Sequence, residues 1–136
     1  MSRHLSDADY RQLLVFRDGL RRFLRWSEQH ALDAGITPAQ HQLLLAIRGH
    51  PGGAPTIADV ADHLLLRHHS AVGLVDRAVV AGLVERQADS RDHRAVRLRL
   101  TTSGTRRLRS LVKAHIDELD RLGPIFTQLS PSAGAT

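Results

Sequence analysis

The sequence predicts a mainly α-helical fold with one small β-hairpin, on three observations. Apolar residues recur at helical spacing through most of the chain. Cap signals of the same type open three of the helical stretches. The period then changes once, from helical to alternating, between residues 83 and 100.

The first helix is expected over about Asp7–Asp33, where Tyr10, Leu13, Leu14, Leu20, Phe23 and Leu24 recur at spacings of three and four. It carries more apolar surface than a small domain needs to cover, so the extra face calls for a partner. Gly35 ends it. Thr37-Pro38-Ala39-Gln40 opens the second helix: Thr caps, Pro is preorganised for the first turn, and Gln completes a capping box. Leu43, Leu44 and Ile47 form its apolar face, and His50-Pro51-Gly52-Gly53-Ala54-Pro55 reads as a loop. Thr56-Ile57-Ala58-Asp59 starts a short third helix through Val60, Ala61 and Leu64. After a turn at residues 65–67, a fourth runs from His68 to about Ala81, with Ala71, Leu74, Val75 and Ala78 on its inner stripe and Gly82 at the cap. Two short helices joined by a tight turn make a helix-turn-helix.

Leu83–Gln87 and Ala95–Leu100 are the β candidates. In the second, Val96, Leu98 and Leu100 alternate with Arg97 and Arg99. The polar loop between them, residues 88–94, completes a hairpin directly after the helix-turn-helix, the arrangement called a wing. Thr101 and Thr102 cap a long last helix with the seam Leu108, Leu111, Val112, His115, Ile116, Leu119 and Leu122. Gly123-Pro124 is expected to break it. Ile125, Phe126 and Leu129 suggest one or two further turns before a small, polar tail from Ser130.

A chain of 136 residues suits one domain. At 42% hydrophobic and 24% charged it falls with globular rather than disordered proteins. No apolar run is long enough for a membrane span and no secretory signal opens the chain, so a cytoplasmic location is expected. With no cysteine, thiolate metal ligands, thiol nucleophiles and disulfide switches are excluded. No HExxH motif, phosphate-cradling glycine loop or nucleophile–base pair is found, so an enzyme is not expected, and no cofactor is.

Net charge is +5, and Lys113 is the one basic residue that is not Arg. Between Arg86 and Arg109 there are eight Arg against two Asp, so the excess positive charge sits on the wing and just after it. Guanidinium forks suit phosphate.

Three stretches resemble the MarR family of regulators. They are Leu74-Val75-Asp76-Arg77 followed by Ala81-Gly82-Leu83-Val84-Glu85-Arg86, the wing segment Asp89-Ser90-Arg91-Asp92-His93-Arg94, and the junction Leu100-Thr101-Thr102-Ser103-Gly104. The resemblance spans about Thr37–Leu122. It implies a winged helix-turn-helix over about 37–101, and dimerisation helices over about 7–33 and 103–130. It also implies a homodimer that binds double-stranded DNA at a near-palindromic operator, often a repressor released by a small ligand.

On that reading the fourth helix is the recognition helix. It enters the major groove N-terminus first and offers His68, His69, Ser70, Val72, Gly73 and Arg77. Arg91 and Arg94 are the wing residues for the minor groove, with Asp92 orienting Arg94. Arg97 and Arg99, on the outer strand face, are candidates for phosphate. A small aromatic or anionic effector is expected between the dimer helices and the reading head, where Trp26, His30 and His41 could line a pocket. Two alternatives stand beside this reading. One is a winged-helix protein-interaction module without DNA binding, whose mark would be a neutral wing. The other is a metal-responsive regulator built on His63, His68 and His69, although no carboxylate spacing completes a known site.

Overall fold

A computed structural model describes residues 4–127, with side chains through residue 124. The elements run α1 (Asp7–Asp33), α2 (Pro38–Gly49), α3 (Ile57–Leu64), α4 (His68–Val80), β1 (Val84–Ala88), β2 (Val96–Leu100) and α5 (Thr102–Thr127). No helix among the described residues is long and apolar enough to cross a membrane.

The starts are set by local chemistry. Ser6 with Asp9, Thr37 with Gln40 and Thr56 with Asp59 each form a reciprocal capping box. α5 is capped by Thr101, whose hydroxyl accepts from Gly104 N (3.0 Å) and donates to Gly82 O (2.6 Å). That one side chain fastens the start of α5 to the segment between α4 and β1.

β1 and β2 pair antiparallel, with Val84 opposite Leu100, Arg86 opposite Leu98 and Ala88 opposite Val96. The outer edge of β2 is partly covered, because Leu98 N donates to Pro55 O (2.8 Å) in the α2–α3 loop. Leu43, Leu44, Val60, Val75, Leu98 and Leu111 are fully buried, so one core joins α2, α3, α4, the hairpin and α5. α1 joins that core only near its C-terminal end, through Ala31. Gly19 and Ala31 are its buried residues. Tyr10, Leu13, Leu14 and Val15 are all more than half exposed, so this chain leaves the first half of α1 uncovered.

Two expectations are corrected. α5 does not stop at Gly123-Pro124 but continues to Thr127. Proline there removes one backbone donor, and the described helix runs through it. Strand β1 begins at Val84 rather than Leu83, because Leu83 is still closing α4, its N–H on Ala78 O at 3.0 Å. Residues 125–127 continue α5 in backbone. Leu129 and the tail from Ser130 lie outside the described residues.

The α3–α4 turn stores strain. Leu65 is left-handed (φ 55°, ψ 42°) and 92% exposed. For an L-residue with a Cβ this conformation costs about 1–2 kcal/mol, while glycine gives back about 0.5–1 kcal/mol in chain entropy. Leu65→Gly is therefore expected to stabilise the fold by about 0.5–1 kcal/mol, raising Tm by roughly 2–4 °C. Thermal melts followed by circular dichroism check this, and a lower Tm would show that Leu65 packs against something.

Candidate nucleic-acid interface

Helix α4 differs from its neighbours at the start. Its N-cap is Arg67, which makes no side-chain cap bond. The first N–H groups of α4 are therefore left for an outside acceptor, at the positive end of the helix dipole. His68, His69 and Ser70 surround that end and are exposed. The opposite stripe of Ala71, Leu74, Val75 and Ala78 is buried and fixes the helix against the core.

Val72 and Gly73 are half-buried, less outward than the sequence pattern implies. Gly73 has a local use: a Cβ there would lie 3.3 Å from a terminal nitrogen of Arg77. The missing side chain makes room for the Arg77 guanidinium to lie back along the helix. Asp76, one residue earlier, pairs with Arg86 of β1 and ties α4 to the hairpin.

The wing carries two acids with different tasks. Asp89 Oδ1 accepts from Arg91 N (2.7 Å), closing the turn, and Oδ2 accepts from Arg97 Nε (2.9 Å). The Arg91 amide first, then the Arg97 guanidinium, hold the Asp89 carboxyl below its ordinary range. Arg97 also donates to Ala54 O (3.3 Å). It thus pins the wing to the α2–α3 loop, a scaffolding bond beside the phosphate contact expected of it. Asp92 Oδ1 accepts from Arg94 N (3.0 Å) and lies 3.7 Å from Arg94 Nε. The Arg94 side chain is 97% exposed, held only loosely by Asp92. Arg91 and Arg99 are exposed as well.

The structure brings Trp26, His30 and His41 together and adds a fourth ring, His115 of α5. Trp26 stacks on His30 (ring centroids 4.8 Å apart), while His115 lies 4.8 Å from Trp26 and 4.7 Å from His41. The four form a packed cluster where α1, α2 and α5 meet. A separate groove of about 600 Å³ has Leu100, Leu108, Val112 and Ile116 among its walls, with Arg48, Arg109 and Lys113 also lining it. His63 does not join His68 and His69. It hydrogen-bonds His50 (2.9 Å), which lies 3.5 Å from Asp59, and no group of three metal ligands forms among the described residues.

Sequence reasoning missed Asp89 as the hub of the wing and His115 as a member of the cluster. The first could have been found from its place opposite the second strand. The second had one signal, an imidazole within an otherwise apolar seam.

Residues 34–95 match the sequence model of the MarR family. No curated protein sequence matches the chain. Among solved structures the chain is similar to AbsC, a MarR family transcriptional regulator from Streptomyces coelicolor (20% identity, TM-score 0.72, 96% of this chain and 87% of that one). It is similar to a point mutant of MarR from E. coli (21%, TM-score 0.69, 96% and 90%). It is also similar to a point mutant of MepR from S. aureus bound to an oligodeoxyribonucleotide (24%, TM-score 0.67, 88% and 84%). At these identities the structural likeness is one of fold. With the sequence match lying on the helix-turn-helix and the wing, and the fold shared along most of the chain, the protein has the winged-helix fold of MarR-family regulators and resembles that family in sequence over residues 34–95.

Proposed function

We propose that this chain is a sequence-specific, double-stranded DNA-binding transcriptional regulator of the cytoplasm, working as a homodimer and acting as a repressor that a small effector releases. The observation that carries the reading is the pairing of an uncapped, exposed α4 N-terminus with a wing whose Arg94 side chain is almost fully exposed. His68, His69 and Ser70 would meet the major groove, and Arg94 the minor groove. The MepR structure with bound oligodeoxyribonucleotide supports the same use of the fold.

A second copy accounts for the uncovered apolar residues of α1 (Tyr10, Leu13, Leu14, Val15) and of α5 (Ile116, Leu119). Two reading heads would then address half-sites about 34 Å apart, one duplex turn. For the effector, the apolar groove with Arg48, Arg109 and Lys113 suits an aromatic acid better than the closely packed Trp26–His30–His41 cluster does.

The test is selection of bound duplexes from a random pool, followed by titration of affinity against salt. The logarithm of affinity should fall linearly with the logarithm of salt, by about 0.9 for each phosphate neutralised. A protein-interaction module would select no duplex and show no such slope.

A further inference from the structure

We propose that His30, His41 and His115, at the joint of α1, α2 and α5, form an acid-opened latch between the dimer helices and the reading head. The proposal rests on the DNA-binding reading only for its effect on affinity. The latch itself is a property of the joint.

The geometry allows little room for protons. His41 of α2 is 6% exposed, and its ring makes no hydrogen bond among the described residues. His115 is fixed at both nitrogens, with Nδ1 2.7 Å from Leu111 O and Nε2 2.6 Å from Ser27 Oγ. A carbonyl only accepts, so Nδ1 carries the hydrogen and Nε2 of the neutral ring accepts from the Ser27 hydroxyl. His30 of α1 stacks on Trp26, and its ring centroid lies 6.3 Å from that of His115. Three imidazoles therefore share one joint.

The charges around the joint do not offset an imidazolium. Facing His41 are His115 from α5 and His30 from α1, both of which oppose a proton on it. Glu118, one turn beyond His115, is occupied by Arg121. Asp33, at the end of α1, accepts from Gln29 (2.9 Å). Arg107 of α5 donates to the carbonyls of Ala34 and Gly35. Burial first, then His115 and His30, hold the His41 imidazole below its ordinary value. A form with the joint opened binds the proton more readily, so the closed form loses ground as pH falls through about 6.5 and below. One proton shifts the ratio of closed to open by at most about tenfold between pH 7.5 and pH 5.5.

Opening would uncouple α2, which carries the reading head, from α1 and α5. Duplex affinity should then fall in acid. The surface histidines His68, His69 and His93 push the other way, because protonating them adds positive charge toward phosphate. An acid loss of affinity that the His41 variants reduce is therefore diagnostic of the joint, as distinct from the His50–His63 pair beside Asp59.

Trp26 is the chain's one tryptophan and sits in the cluster, so its emission reports the joint directly. The experiment follows Trp26 fluorescence, thermal melting and affinity for a selected duplex between pH 8 and pH 5. It uses the full chain, His41→Gln and His41→Phe, the second variant guarding against a folding defect in the first. The expected result is quenching and a Tm loss below about pH 6.5 in the parent chain, with affinity falling up to tenfold. Both variants should show smaller changes. Equal acid responses in parent and variants, or none in the parent, would overturn the latch. If no duplex is bound at any pH, the functional reading fails, while fluorescence and melting still decide the latch.

Discussion

Gly104→Ala is expected to destabilise the protein by about 3–5 kcal/mol, the upper range for a single overpacked site. A Cβ at residue 104 falls on the carbonyl oxygen of Leu83, with the Leu83 carbonyl carbon at 3.0 Å and Cα at 3.4 Å. The obstacle is backbone, so no rotamer change relieves it. Leu83 cannot retreat: it is buried, its N–H is bonded to Ala78 O, and its carbonyl accepts from Thr101 N (3.1 Å). Helix α5 would have to back away from the reading head, loosening Leu108 and Leu111 in the core. Against a typical total of about 5–15 kcal/mol, that loss takes a large share of the folded population. Gly49→Ala is the control, because its Cβ meets nothing within 4 Å at the end of α2. It should be neutral or stabilising by up to about 1 kcal/mol. Melts of the two variants should differ by more than about 10 °C. A Gly104→Ala protein melting within a few degrees of its parent would mean that the α5 junction is pliable.

What the sequence reveals and what it hides divide along one physical line. Capping boxes act between residues three apart, so the starts of α2 and α3 could be read from Thr37-Gln40 and Thr56-Asp59 alone. Alternation along Val96–Leu100 likewise identified β2, with Leu98 as its fully buried residue. The close approach of Gly104 to Leu83, by contrast, is a contact between two backbones that no local pattern encodes. Arg97 looked like a free strand cation because its two acceptors, Asp89 and Ala54, are separated from it by the wing turn and by the whole of α3 and α4. His115 read as one more seam position because its partners Ser27 and His41 come from other helices. Pro124 misled in the opposite sense: a strong local rule predicts a break, yet the loss of one backbone donor does not interrupt α5 through Thr127.

That division also decides which arginine to change. Arg94→Ala is expected to lower duplex affinity by about tenfold for each wing, or about a hundredfold for a dimer that engages both. Its side chain is almost fully exposed, and the Asp92 contact at 3.7 Å is long and solvated, so removal leaves folding unchanged. The salt slope should become shallower by about one for each phosphate that Arg94 no longer neutralises. Arg97→Ala tests the opposite arrangement. It deletes the bonds to Asp89 and Ala54, leaves the Asp89 carboxylate short of a donor, and frees the wing from the α2–α3 loop. Melting temperature and affinity should then fall together. If Arg94→Ala binds duplex as tightly as the parent while Arg97→Ala does not, the wing acts by its placement and the minor-groove contact is refuted. If Arg94→Ala alone weakens binding at constant Tm, the free guanidinium is the contact, and Asp89 and Arg97 are the frame that presents it.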